Sequence, residues 1–153
     1  MSVANADTTR PALSTAANNF SWLIASFLQK TAGVEQGVIV SSDGILMATA
    51  QLDQRSAERV AAIVTGMRSL ADGASSLLGK GSLQRVIIEM GTAFLLVAAI
   101  SDGSALGIVC DKRADLGLIS YEMTLLVDRV GTQLTPDLVT ELKQAYKVHG
   151  AIR

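Results

Sequence analysis

The sequence predicts an α/β protein with an antiparallel five-stranded sheet and helices on both faces. The predicted order is α-β-β-α-β-β-β-α, followed by a short C-terminal helix. Apolar residues recur at helical spacing in three long segments, and short strand-like runs lie between these segments. The runs are joined by turns that contain Asp-Gly or Gly, which readily adopt positive φ. Short turns of this kind connect antiparallel strands.

The beginning of the chain supports this order. Residues 1–12 are polar, and we predict a disordered tail there. Residues 13–134 form the predicted domain, whose first helix has Ser14 or Thr15 as its N-cap and Gly33 as the C′ residue after its end. Two strand-like runs, residues 34–41 and 45–50, then flank Ser42-Asp43-Gly44. An Asp-Gly turn between two such runs predicts a hairpin.

The rest of the chain continues the pattern. A second helix covers residues 56–78, and a third runs from about residue 115 to 134. Between them lie three strand-like runs, at residues 85–90, 92–100 and 105–110. Residues 135–153 form the predicted tail helix, in which Thr135 is the N-cap and Pro136 occupies the first helical position.

Composition limits the classes of function. The chain has 153 residues, enough for one domain with a sizeable core. Its formal charge is −1, it has no basic stripe, and it holds only six aromatic residues, which argues against nucleic-acid binding. Hydrophobic residues make up 49% and charged residues 18%. A chain this apolar is predicted to bury part of its surface in a complex.

Three absences in the sequence favour a cytoplasmic location. The longest apolar run, residues 93–100, is far too short to span a bilayer. The N-terminus, MSVANADTTRPA, lacks the apolar segment of a secretory signal. The single cysteine, Cys110, excludes an internal disulfide and a cysteine cluster for a metal. We interpret Cys110 as a small buried hydrophobe rather than a reactive thiol.

The second helix has two unusual faces. One is wide and apolar and is predicted to lie on the core; it comprises Val60, Ile63, Val64, Met67, Leu70, Ala71, Ala74, Leu77 and Leu78. The opposite face carries small residues instead of charges: Ala62, Gly66, Ser69, Gly73 and Ser76. Each glycine costs a helix about 0.8–1 kcal/mol relative to alanine, so a close neighbour is implied. That neighbour is either the first or third helix of the same chain or, as we favour, another chain.

Three further side chains are candidates for contact with a partner. Trp22 falls on the polar face of the first helix, where either the tail helix covers it or a partner does. Arg59 and Arg68 project near the edges of the small-residue face. They are either solvated or placed to reach acidic or phosphate groups of a partner.

The sequence carries none of the common catalytic motifs. Residues 79–82, GKGS, follow a helix and lack the Ser or Thr that a Walker phosphate loop needs after its lysine. The single histidine, His149, lies in the tail, away from any predicted pocket. Asp43 and Asp102 each precede glycine in a turn, and Glu89 is expected to face solvent or an interface. No enzyme activity, metal or cofactor is therefore predicted.

The chain resembles the roadblock/dynein-light-chain family, especially its bacterial members. The resemblance is carried by VEQGVIVSSDGILMATA (residues 34–50), VIIE (86–89) and DGSALGIVC (102–110). The last is followed by Asp115-Leu116-Gly117 and by Tyr121-Glu122-Met123. The order and spacing of these segments are more specific than any one of them, and they extend over roughly residues 14–134.

The resemblance implies a fold in which the second helix covers one sheet face and the first and third helices cover the other. It also implies a homodimer through the second helix and third strand. On this chain that surface would be Ala62, Gly66, Ser69, Gly73 and Ser76, with Val86 and Ile88 on the strand. Members of the family bind small Ras-like GTPases; a gliding-motility regulator among them is a GTPase-activating homodimer. Actinobacterial relatives lie in operons that also encode a sensor-kinase-like membrane protein and a Ras-like GTPase.

Two functions follow from the resemblance. The first is a cytoplasmic, non-enzymatic homodimer that regulates a small Ras-like GTPase or serves as its adaptor. The second is a dimeric scaffold or ligand-sensing module that docks a sensor-kinase-like partner without acting on a GTPase. An arginine supplied in trans can accelerate GTP hydrolysis, and Arg59 and Arg68 are the candidates near the implied partner surface.

Overall fold

The computed structural model describes residues 13–151, with side chains up to residue 146. Four helices and five strands follow one another in the predicted order. Their bounds are α1 (Thr15–Lys30), β1 (Val34–Val40), β2 (Leu46–Ala50), α2 (Gln54–Leu78), β3 (Arg85–Glu89), β4 (Ala93–Ala99), β5 (Ala105–Asp111), α3 (Leu116–Gln133) and α4 (Pro136–Ala151). The predicted fold class is therefore confirmed. The tail predicted at residues 1–12 lies outside the described residues.

The helices begin where the sequence offers a side chain that can accept a backbone hydrogen bond. Ser14 Oγ accepts from Ala17 N at 3.1 Å at the start of α1. Asp53 and Asp115 do the same for α2 and α3, and Thr135 Oγ1 accepts from Leu138 N at 3.2 Å in α4. Such caps satisfy amide groups that have no partner within the helix.

The strands form a single antiparallel sheet in the order β2-β1-β5-β4-β3. The two hairpin turns that contain Asp-Gly place Gly44 at φ +87° and Gly103 at φ +96°, as predicted for these positions. β2 and β3 are the edge strands, and β3 pairs only with β4 among the described residues.

The sheet separates two cores. The larger one is formed by α1, α3 and part of α4 against residues such as Ile39, Leu96 and Ile108. The smaller one lies under α2, where Ala57, Ala61 and Val64 pack on Val38 and Val97. The placement of α2 on one face and of α1 and α3 on the other agrees with the arrangement that the resemblance implied.

Helix α4 lies along the β2 edge and contributes to both cores. Leu138 and Leu142 are buried with the larger core, and Tyr146 packs against the smaller one. The hydroxyl and backbone N–H of Ser14 donate to the Glu141 carboxylate at 2.6 and 2.8 Å, and Lys143 Nζ lies 2.8 Å from Asp43 Oδ2. One edge of the sheet is thus covered by α4, whereas no described strand or helix covers the β3 edge.

The contacts of α4 predict a loss of stability in acid. The Lys143 ammonium and the Ser41 hydroxyl lower the pKa of Asp43, and hydrogen bonds from Ser14 lower the pKa of Glu141. A carboxyl whose pKa is lower in the folded state stabilises the fold above its unfolded pKa and loses that effect as the pH falls through the folded value. We expect the Tm to be constant between about pH 7 and 5 and to fall below about pH 4.

Melting curves between pH 7 and 3, followed by circular dichroism, test this expectation. The variant D43N/E141Q is the control, since it cannot lose these two charges and should show a shallower fall of Tm with acid. An identical pH slope for the variant and the parent chain would show that these two contacts do not stabilise the docked helix.

Within the described residues, no helix is both long and apolar enough to cross a membrane.

Candidate functional site

The outer surface of α2 carries large apolar side chains in solvent. Ile63 is 54% exposed, Leu70 is 74% exposed and Leu77 is 86% exposed. Gly66 and Gly73 lie between them, so these five residues follow one another at spacings of three, four, three and four along the helix. Residues at this spacing share one helix face. We call this row the α2 strip.

The structure corrects the prediction that the wide apolar face of α2 lies on the core. Only Ala57, Ala61 and Val64 of this helix are buried, and Leu78 is 66% exposed along with the strip. The reason is the close approach of α2 to β5, where Val64 packs directly over Gly107. The helix meets the sheet along a narrow line of small residues, and the outer half of its apolar face remains in solvent.

The small-residue face, which shares Gly66 and Gly73 with the strip, is also in solvent. Ala62, Gly66, Ser69, Gly73 and Ser76 are all exposed. A Cβ atom added at Gly66 or Gly73 would meet nothing within 4 Å in the described part of the chain. The alternative that the first or third helix packs against these glycines is therefore wrong. No contact within the described protomer offsets the free-energy cost of these glycines to the helix.

The open edge of the sheet carries the strand residues named in the sequence. Val86 and Ile88 are half-buried and pack against the smaller core, on the face that α2 covers. Ile87 points to the opposite face and is 52% exposed. The outward backbone groups of β3 have no partner strand among the described residues. An unpaired, apolar strand edge is a template for pairing with another chain.

The two candidate arginines differ in exposure and in the contacts of their side chains. Arg59 is exposed one turn before Ile63. The Arg68 side chain is only 17% exposed; its Nε lies 3.3 Å from Asp72 Oδ2, and its terminal nitrogen donates to the backbone oxygen of Ser104. Arg68 therefore ties α2 to the β4–β5 turn, and Arg59 is the one that projects freely.

Trp22 lies apart from the α2 strip, on the other side of the sheet. It is 57% exposed in a groove between α1 and α3, and Lys30 Nζ lies 5.5 Å from the centre of its ring. The residues that line this groove belong to α1, the turn that follows it and α3. Tyr146 packs instead in the smaller core, and none of the described side chains of the tail helix lines the groove, so these side chains do not cover Trp22.

The remaining candidates have structural roles. Cys110 is fully buried, and burial raises the pKa of its thiol, as expected for a small buried hydrophobe. Asp102 accepts a hydrogen bond from Ser104 N at 2.9 Å, and Asp43 accepts one from the Ser41 hydroxyl, so both support their turns. Glu89 is 67% exposed and pairs with Lys112. The side chain of His149 lies outside the described residues.

Arg85, the first residue of β3, is not among the candidates that the sequence predicts. Its terminal nitrogen donates to Ser120 O and Thr124 Oγ1, each at 3.0 Å, and its Nε is buried without a hydrogen-bond partner. None of the ion pairs among the described residues includes Arg85. It lines a cavity of about 750 Å³ between the C-terminal part of α2 and α3. No sequence pattern distinguishes it from an ordinary edge-strand arginine.

Comparison with known proteins gives consistent matches. Residues 20–110 match the family model of the Roadblock/LC7 domain. A crystal structure of a Roadblock/LC7 domain from Streptomyces avermitilis is 30% identical, covers 72% of this chain and 92% of its own, and superposes with a TM-score of 0.69. An uncharacterized protein of Methanocaldococcus jannaschii is 27% identical over 103 residues, which are 67% of this chain and 90% of that protein.

A solved structure of lower sequence identity has a similar fold. The gliding protein MglB from Thermus thermophilus is 15% identical to this chain, and the match covers 82% of this chain and 95% of that protein. The two structures superpose with a TM-score of 0.70.

Proposed function

Since the chain belongs to the Roadblock/LC7 domain family, we propose that it is a non-enzymatic homodimer that regulates a small Ras-like GTPase in the cytoplasm or serves as its adaptor. Two copies would meet through the α2 strip, the neighbouring small residues and the β3 edge. The GTPase would then dock on the dimer, beside the exposed Arg59. The protein would contribute surfaces to this assembly, and the chemistry would remain with the GTPase.

The exposed apolar surface of α2 carries this proposal. Ile63, Leu70 and Leu77 are each more than half exposed, and the glycines between them leave open space. Leucine and isoleucine side chains of a second α2 could enter that space, as knobs enter holes. Burying a side chain of this size is worth about 1.5–3 kcal/mol, so several of them on each side are enough to hold a dimer.

The two edges of the sheet support the same assembly. α4 covers β2, whereas β3 is open and carries Val86, Ile87 and Ile88. Because Val86 and Ile88 lie on the α2 face, one partner could contact both the strand and the α2 strip. A two-fold axis near β3 would use the same patch on both copies, the usual construction of a homodimer.

GTP hydrolysis by a small Ras-like GTPase from the same organism tests the function. Single-turnover hydrolysis is measured with and without saturating dimer, and binding is measured separately by calorimetry. A several-fold change in rate supports regulation, and binding without a change in rate supports the adaptor role. Absence of both would contradict the proposal and favour the scaffold that docks a sensor-kinase-like partner.

The variant R59A is expected to reduce the change in rate, because Arg59 is the candidate arginine that projects freely from α2. Its Tm should remain close to that of the parent chain, since exposed substitutions usually shift stability by less than about 0.5 kcal/mol. R113A is the matched control, as the Arg113 side chain is 92% exposed on the loop before α3. If a loss of rate comes with an equal loss of binding, Arg59 acts in docking; a loss of rate alone indicates a catalytic contribution in trans.

A further inference from the structure

The third strand has a sequence that is complementary to itself when reversed. It reads Arg-Val-Ile-Ile-Glu, with a cation at one end, an anion at the other and three apolar residues between them. In an antiparallel pair of two such strands, the ends of one strand meet the opposite ends of the other. Opposite charges placed across a strand pair stabilise it, and like charges destabilise it.

Geometry restricts the registers in which two copies of β3 can pair. Directly opposed residues of an antiparallel pair point to the same face of the sheet, and residues along a strand alternate between faces. If both α2 helices lie on one face of the joined sheet, the two-fold axis must pass through a residue and not between two. An axis at Arg85 or at Glu89 would set two like charges opposite each other, so the axis falls at Val86, Ile87 or Ile88.

The charges at the ends of β3 distinguish these three positions of the axis. With the axis at Val86, Ile87 would lie opposite Arg85 of the partner subunit. With the axis at Ile88, Ile87 would lie opposite Glu89 of the partner subunit. Each of these registers sets an apolar side chain against a charge and leaves part of the strand unpaired. Only the axis at Ile87 pairs all five residues.

We propose that two copies of this chain join with the two-fold axis at Ile87, so that Arg85 of each copy forms an ion pair with the partner's Glu89. Val86 then lies opposite the partner's Ile88 beneath the α2 helices, and Ile87 meets its own copy at the axis. This register rests on the homodimer proposed above and specifies which residues of the partner it uses.

The surroundings of both charged residues fit this pairing. Arg85 and Glu89 lie on the same face of the sheet, since their partners on β4, Ala98 and Phe94, both belong to the larger core. Arg85 has no carboxylate partner in the described chain and has a buried Nε without an acceptor. Glu89 pairs with Lys112 in the protomer, but its side chain is 67% exposed, so its carboxylate remains accessible to a second chain. A partly buried guanidinium is stabilised by an anion that completes its hydrogen bonds.

Charge exchange on β3 gives a direct test. In R85E both symmetric contacts become acid against acid, and in E89R both become base against base. Each variant is expected to dimerise about ten to a hundred times more weakly than the parent chain. Mixing the two restores opposite charges at both contacts, so a heterodimer should form at close to the parent affinity. Sedimentation gives the affinities, and native mass spectrometry gives the composition.

The outcomes separate the register from the dimer itself. A parent chain that stays monomeric at tens of micromolar overturns both proposals. A parent dimer whose two variants dimerise equally well and mix in a random 1:2:1 ratio overturns the register alone. Because Arg85 also contacts α3, the Tm of each variant is compared with that of the parent chain, and recovery in the heterodimer shows that the variants remain folded.

Cysteine cross-linking tests the axis without touching the charges. In I87C the two thiols would lie opposite one another, with Cα atoms about 4.5–5.5 Å apart, within disulfide range. In V86C the equivalent residues would be offset by two positions along the strands and beyond that range. We expect rapid oxidation of I87C to a covalent dimer and little for V86C or the parent chain, whose Cys110 is buried. Faster cross-linking of V86C than of I87C overturns the register.

Discussion

Replacing Gly73 by arginine should convert the proposed dimer into a folded monomer. Gly73 lies in the middle of the exposed part of α2, and a Cβ atom there meets nothing within 4 Å in the described protomer. An arginine therefore has room in the free chain but would have to be buried against α2 of the partner subunit. We expect the dimer to weaken by at least about a hundredfold, the scale of a central interface position.

The monomer should tolerate this change well. Arginine favours a helix by about 0.8–1 kcal/mol over glycine, so the Tm of G73R measured on the monomer should not fall. Q133R adds the same side chain at an exposed position at the end of α3 and should leave the dimer intact. Sedimentation velocity over a range of concentrations compares the three proteins. A G73R dimer as tight as that of the parent chain would place the interface away from this face of α2.

The order of elements could be predicted from the sequence because each boundary has a local chemical cause. Ser14, Asp53 and Asp115 cap their helices, and Asp-Gly turns join strands, so these signals require no knowledge of tertiary contacts. The ends of most elements differ from the prediction by one or two residues. Hydrophobic periodicity likewise located the helices correctly.

The orientation of α2 could not be predicted in the same way. Periodicity shows that Val64 and Leu70 share a broad apolar face, but not which part of that face the sheet covers. The covered part depends on Gly107, forty-three positions further along the chain than Val64. Because Gly107 has no side chain, α2 can approach the sheet closely along one line. Apolar residues inside a core and in an exposed interface have the same pattern in sequence, and only the tertiary contact separates them.

For the same reason, only part of the candidate site could be predicted from the sequence. Gly66 and Gly73 were recognisable from the sequence because glycine in a helix interior is unfavourable and therefore informative. Arg85 was not, since an arginine at an edge strand is ordinary until the structure shows its buried Nε and, among the described residues, no carboxylate partner. Trp22 was recognised as exposed, but the groove around it depends on how α1 and α3 pack.

Introducing a methyl group at Gly107 should destabilise the fold and displace α2. The Cβ atom of Gly107→Ala would lie 2.7 Å from Cγ2 of Val64 and 3.2 Å from Cγ2 of Val38. Both valines are fully buried, and a β-branched side chain has few alternative rotamers to relieve the contact. We expect G107A to lower the free energy of unfolding by about 1–3 kcal/mol, as overpacking does in well-packed cores.

A double-mutant cycle with Val64 identifies the cause. V64A alone removes two buried methyl groups and should cost roughly 2 kcal/mol. In G107A/V64A the new methyl group occupies the space that the valine leaves, so the double variant should be more stable than the sum of the single effects predicts by about 1 kcal/mol or more. Urea unfolding measures all four proteins. Strict additivity would show that the helix is not held on the sheet through this pair.

Substitutions on the two sides of α2 link the core to the proposed interface. G66A, on the outer face of the same helix, adds a methyl group in open space and should raise the stability of the monomer by up to about 1 kcal/mol. The methyl group of G66A on the outer face of α2 is thus expected to stabilise the monomer, and the methyl group of G107A beneath the helix is expected to destabilise it.

Because the contact between Val64 and Gly107 sets the height of α2 above the sheet, G107A should also weaken the dimer, and V64A should restore part of that loss. A dimer affinity unchanged by G107A would mean that the α2 strip does not depend on this contact for its position.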